Sequence, residues 1–381
     1  MPATTPVLIR ALRQPDEVLE LPLPQWERLL REARVCGLGA TLALRLKQVR
    51  LQTALPDGPR QHLVAAWRQA GHVQRQHGRT LVQLTDLLAP AGHEWALLDV
   101  AARAQVGLST CHPCGLPGAP LRLDLLCLPQ RRERLLSLLM RQGWRVMSAA
   151  PARATAAGAR GGAPAAPPPL RLRHARHGQT VLLHVGVPPG TVAPQLGAEA
   201  LRSGWQALPG LPGAHLLSAP DLVLSEVLRC WHLSPPQGLL HALTCCDQWL
   251  RLHAEQPGFW PALVSRAEWA QQSTTLFLVL RYLRGLLYTP VPDAVVDALD
   301  LHAPDDRTLL WQDALVRRCV APCLPGDDQL AARAARMAWM LARRTPGDGT
   351  RPVPGPTRWR ALWQAAGAPG QPLAGMACDG G

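Results

Sequence analysis

Leu121-Arg122-Leu123-Asp124-Leu125-Leu126-Cys127-Leu128 is the stretch whose reading decides the fold. It is an apolar run of strand length carrying two charges at alternate positions, and Pro129 stops it. Side chains alternate across a strand, so Arg122 and Asp124 share one face while Leu123, Leu125 and Cys127 share the other. Upstream, Trp95-Ala96-Leu97-Leu98-Asp99-Val100-Ala101 is a second apolar run, short enough for a buried strand. Downstream, Gln130 to Arg141 reads as a helix with Leu135, Leu136, Leu138 and Leu139 on one side and arginines on the other, and Gly143 ends it. A strand, a crossover, a second strand and a helix are the start of an α/β sheet.

Further out, residues 1–92 read as helical. Pro24 opens one helix, Ala40 to Leu51 forms a second, Pro56-Asp57-Gly58-Pro59 marks a turn, and a long helix runs from Gln61 to Leu88. A third strand is expected at Thr180-Val181-Leu182-Leu183-His184-Val185. Before it, Ala149 to Pro169 is almost entirely Ala, Pro, Gly and Arg; such a composition buries too little apolar surface to order itself and predicts a disordered insert. Residues 191–344 read as helical, with Asp221 as a candidate cap, and the Pro- and Gly-rich residues 345–381 as a flexible tail. The expected class is α+β: a small mixed sheet at residues 93–190 between N- and C-terminal helical regions.

A formal charge of +13 with a pI near 10.2 would call for a polyanionic partner if it were clustered. In the sequence it looks thinly spread and almost wholly arginine, Lys47 being the only lysine, which fits the composition of a GC-rich genome. No nucleic-acid partner is therefore expected. The N-terminus lacks a secretory pattern, and the most apolar helix, Thr274 to Tyr288, is broken by Arg281 and Arg284, short of the ~20 apolar residues a span needs. These features predict a cytoplasmic protein with no membrane partner, whose ten cysteines are reduced.

At its two strands the chain resembles nucleotidyltransferases of the large DNA-polymerase-β-like superfamily found in bacterial gene clusters for surface polysaccharides and modified peptides. There the first strand reads roughly leucine-leucine-lysine-glycine and the second aspartate-isoleucine-aspartate-leucine-leucine-valine. The counterparts here are Leu97-Leu98-Asp99-Val100 and Arg122-Leu123-Asp124-Leu125-Leu126-Cys127. The resemblance runs loosely over residues 10–300; His184, His232 and Asp247 match further family positions, while the third acidic position falls on Leu182. It implies a nucleotidyltransferase-like core, a nucleoside triphosphate as substrate or ligand, magnesium held by paired carboxylates, and an acceptor or partner enzyme from a biosynthetic cluster.

The residues themselves depart from that chemistry. Arg122 puts a fixed positive charge where the resemblance asks for a metal-binding carboxylate, and it would repel a divalent ion while keeping Asp124 ionised. Asp99 and Asp124, on strands about 4.8 Å apart, are candidates for a rebuilt catalytic and metal-binding pair. Arg122, Arg103 and His184 are candidates for binding nucleotide directly. The plainest alternative is a partly exposed Arg122–Asp124 ion pair worth under about 1 kcal/mol. Cys111 and Cys114 have the spacing of a redox pair or half a zinc site, but no second ligand pair follows nearby, so an ordinary loop is the simpler reading. His232, His241, His253 and Cys245 read better as helix packing than as a metal cluster. Three functions stay open: a divergent nucleotidyltransferase, a pseudoenzyme that binds nucleotide, and a helical interaction module.

Overall fold

The computed structural model describes residues 5–108, 122–149, 169–187, 196–324, 327 and 333–339. The chain opens with helices α1 (Val7–Arg13), α2 (Leu23–Val35), α3 (Gly39–Gln48) and α4 (Asp57–Leu88). In α4, Leu63, Leu81, Leu84 and Leu88 are buried, and Pro59 sits in the first turn, where the missing N–H has no helical partner to lose. The cluster read as a turn at residues 56–59 therefore starts the helix.

The helix delivers the chain to β1 (Trp95–Leu98), followed by α5 (Asp99–Gln105), β2 (Arg122–Cys127), α6 (Arg132–Arg141), β3 (Trp144–Ala149), β4 (Leu170–His174) and β5 (Thr180–His184). Short α7 (Ala198–Arg202), β6 (Gln206–Ala207) and β7 (Ala214–Leu216) complete a seven-stranded mixed sheet in the order β3-β4-β5-β2-β1-β7-β6. The central β2 runs parallel to β5, while β1 lies antiparallel to it, Leu98 opposite Asp124. The connection expected to cross over thus reverses direction instead.

The α+β class holds, but the sheet is larger than the sequence suggested. Strands β3 and β4 were not expected, because Arg145, Arg171 and Arg173 interrupt the apolar pattern and are exposed. Strands β6 and β7 are two and three residues long, too short for a periodicity to show; β7 pairs in parallel with β1 and carries the sheet into residues assigned to the C-terminal helical region. Gly213 is needed at that joint: its φ is +76°, and a Cβ would lie 2.6 Å from the His93 carbonyl oxygen. The expected disordered insert, apart from its two ends, and the tail lie outside the described residues, as do Cys111 and Cys114.

Helices α8 (Ala219–Leu228), α9 (Leu239–His253), α10 (Phe259–Trp269), α11 (Ser273–Leu287), α12 (Asp293–Asp300) and α13 (Asp306–Val320) follow. Ser218, rather than Asp221, caps α8, its hydroxyl oxygen accepting the Asp221 N–H. Every residue of α8 from Asp221 to Leu228 is buried, as is α9 from Leu239 to Leu250. Polar groups on these helices must therefore find partners inside the protein. Among the described residues, no helix is long and apolar enough to cross a membrane.

Candidate functional site

Alternation along β2 puts Arg122 and Asp124 on one face, as the sequence dictates, and the Arg122 guanidinium donates from Nε to Asp124 Oδ2 at 2.9 Å. Its Nη2 lies 3.3 Å from Asp99 Oδ2. Arg122 therefore bridges the two carboxylates proposed from sequence as a metal pair. Asp99 stands just past β1 with φ +49°, a left-handed backbone that aspartate tolerates better than most residues. This turn starts α5, and Arg103, one turn on, reaches back to Asp99 Oδ1 at 3.1 Å.

Two further members come from the C-terminal helices. Glu226 on α8 receives Arg103 Nη1 at 3.4 Å and Arg229 Nη2 at 3.2 Å, and Arg229 Nη1 lies 2.7 Å from Asp99 Oδ2. Arg229 begins a π-helical turn, Arg229–Leu233, that continues α8; such turns are rare and frequently fall at functional sites. Neither residue was singled out from sequence. The available signal was a glutamate inside the largely apolar run Leu222–Leu228, with an arginine at i+3.

Asp99, Asp124 and Glu226 thus meet Arg103, Arg122 and Arg229, a cluster whose formal charges cancel. Its carboxylates are almost fully buried, at 1%, 6% and 2% side-chain exposure, whereas Arg122 keeps 38% and Arg229 23%. Burial would raise the Asp124 carboxyl, but Arg122 and the hydrogen bond with His184 outweigh it and hold the group well below the usual carboxylate range. Asp99 shows the same balance: burial opposes its charge, and Arg229 and Arg103 more than restore it. The partners keep the Arg103 guanidinium firmly charged despite burial.

His184, buried on β5, lies with Nε2 2.8 Å from Asp124 Oδ1. Leu182 sits directly opposite Asp124 in the β2–β5 register, so the position where a third carboxylate was sought is apolar. The sequence candidates Asp99, Arg103, Arg122, Asp124 and His184 therefore do converge. Their arrangement alters two of the roles assigned. Arg103 is sealed between Asp99 and Glu226, with 1% of its side chain exposed, and has no surface to offer a nucleotide. The magnesium pair does not fit either, because both aspartates already share the Arg122 guanidinium, and a divalent ion between them would meet a fixed positive charge. Among the described residues, no group of three or more His, Cys, Asp or Glu side chains is arranged to hold a metal ion.

Asp247, the other matched acidic residue, belongs to a separate cluster. It pairs with Arg45 and Arg251 and accepts a hydrogen bond from Thr289, tying α9 to α3 and to the residues after α11. His241 is buried on α9, and burial, reinforced by Arg103, lowers its pKa to about 4.

Fold and site together define an α+β protein whose sheet is joined to its C-terminal helices by a neutral, buried arginine–carboxylate cluster. Comparison with family models, curated proteins and solved structures gives no match.

Proposed function

We propose that this chain is a nucleotidyltransferase-like protein in which metal-dependent transfer has given way to metal-independent binding of a nucleotide phosphate, in the service of a partner biosynthetic enzyme. One observation carries the reading: Arg122 spans Asp99 and Asp124, and its side chain is the most exposed of the cluster. A fixed organic cation thus stands between the two carboxylates on a partly exposed side chain, and a guanidinium has donors beyond the two those carboxylates take, which can meet a phosphate oxygen. The motif resemblance at β1 and β2 supplies the nucleotide; the neutralised carboxylates argue against turnover.

The test is a thermal-shift screen of the four nucleoside triphosphates, each with magnesium and with EDTA. A ligand bound only by the folded state at ~100 times its dissociation constant adds about 2.7 kcal/mol, a readily visible shift. The expected result is stabilisation by at least one triphosphate, equal in both buffers and lost in Arg122→Ala. A shift that requires magnesium would restore the metal-dependent enzyme, and no shift with any triphosphate would move the function to the helical layer as a docking module.

A further inference from the structure

The strand pair at the edge of the sheet carries charge of a different kind. Between Glu133 and Glu199 the sequence holds no aspartate or glutamate but eight arginines, so the arginines are hardly denser there than elsewhere but their charge goes uncancelled within that stretch. The fold gathers part of it into a cleft. Arg145, Met147, Arg173 and the β4–β5 turn, His174 to Gly178, line an open hollow of about 440 Å³, within the size range of small-ligand pockets.

Arg145 of β3 stands directly opposite Arg173 of β4, and directly opposed side chains project from the same face. Like charges in that relation repel, and Arg176 adds a third to the same cleft. Among the described residues, none of the three has a carboxylate partner, in contrast to Arg122, Arg103 and Arg229. The same row across the sheet continues through Thr180 to Arg122, so the cleft and the central cluster share one face.

The turn beneath the arginines is held in place. His174 Nδ1 accepts the backbone N–H groups of Arg176 and His177, both at 3.3 Å, while its Nε2 donates to the Gln142 carbonyl at 3.1 Å. His177 stacks on it with centroids 4.6 Å apart. Burial, aided by the charges of His177 and Arg176, lowers the His174 pKa, which keeps Nδ1 available as an acceptor. Charged residues on an edge strand also deter strand-to-strand association, but of the three arginines only Arg145 lies on the edge strand β3. Three guanidiniums around a concave surface call for a multiply charged anion, and their planar forks match phosphate oxygens.

We propose that this cleft is a phosphate-binding site, separate from the central cluster, that takes the phosphoryl groups of a polyphosphate, free or as the backbone of a nucleic-acid strand, among Arg145, Arg173 and Arg176 without a metal ion. The proposal stands whether or not a nucleotide also meets Arg122. It is tested on the full chain by calorimetric titration with inorganic pyrophosphate in EDTA, and by the fluorescence anisotropy of a labelled 12-nucleotide single strand. Wild type should bind, and Arg173→Gln combined with Arg176→Gln should weaken binding at least tenfold. The double variant should melt no lower than wild type, since it relieves repulsion. A strand bound more tightly than pyrophosphate would identify the source as nucleic acid; pyrophosphate bound as tightly or better would identify a small polyphosphate ligand. No binding of either probe by the wild type, undiminished binding by the double variant, or a lower melting temperature in that variant would overturn the assignment.

Discussion

Two groups of arginines lie on one face of the same sheet and differ in almost every physical respect. At the centre, Arg103, Arg122 and Arg229 meet three buried carboxylates and form a neutral cluster that ties β1, β2 and α5 to α8. At the edge, Arg145, Arg173 and Arg176 are exposed and, among the described residues, meet no carboxylate. The residue type is the same, and the counter-charge decides the consequence. The compensated cluster is first of all part of the fold, with only the partly exposed Arg122 left to meet a ligand, whereas uncompensated arginines around a hollow leave their whole charge for one.

The contrast breaks most severely if the central compensation is removed. Arg103→Met keeps much of the side chain's length but leaves Asp99 and Glu226 short of a counter-charge, and should cost about 3–5 kcal/mol in urea unfolding. A cost under about 1 kcal/mol would mean that the cluster is wet and loosely held. Asp124→Asn keeps the shape but removes one charge facing Arg122 and His184, and should cost about 1–3 kcal/mol.

Acid sharpens the comparison further. The Asp99 and Asp124 carboxyls are depressed in the folded state, so their contribution is complete above the ordinary carboxylate pKa and is lost as the pH falls below it. His241 also titrates low, from 6.5 to about 4, because the folded protein keeps it neutral; stability therefore falls with pH across that window. Each proton contributes at most about 1.4 kcal/mol per pH unit. Melting temperatures recorded from pH 7 to pH 3 should fall throughout, with His241→Leu flattening the upper part of the curve and Asp124→Asn the lower.

At the exposed edge the expected effect is smallest. Arg173→Gln should change stability by no more than about 0.5 kcal/mol, in the stabilising direction. A marked loss in thermal melts would show that this arginine, too, is structural.

The difference between the regions also explains what could be read from sequence. Alternation along Arg122–Cys127 placed Arg122 and Asp124 together, and helical periodicity located α2, α4 and most helices after residue 219, because both signals are local. Glu226 and Arg229 were not found, since the groups that draw them into the cluster, Arg103 and Asp99, lie more than 100 residues away, and the local pair at i, i+3 looks like any helical ion pair. The edge strands escaped for the opposite reason. Arg171 and Arg173 alternate with Leu170 and Leu172, but two apolar positions are too few to distinguish a strand from a loop. The charge itself was visible as a carboxylate-free stretch, yet only the pairing of β3 with β4 turns that composition into a cleft.

The central claim is that a guanidinium, not a metal ion, holds Asp99 and Asp124 together. Calorimetric titration of the wild-type protein with manganese, in place of magnesium, tests it most directly. The account predicts no saturable binding at millimolar concentrations and the same null result for Asp124→Asn. Stoichiometric manganese binding that disappears in Asp124→Asn would contradict it, for the carboxylates would then be free to leave Arg122 for a cation.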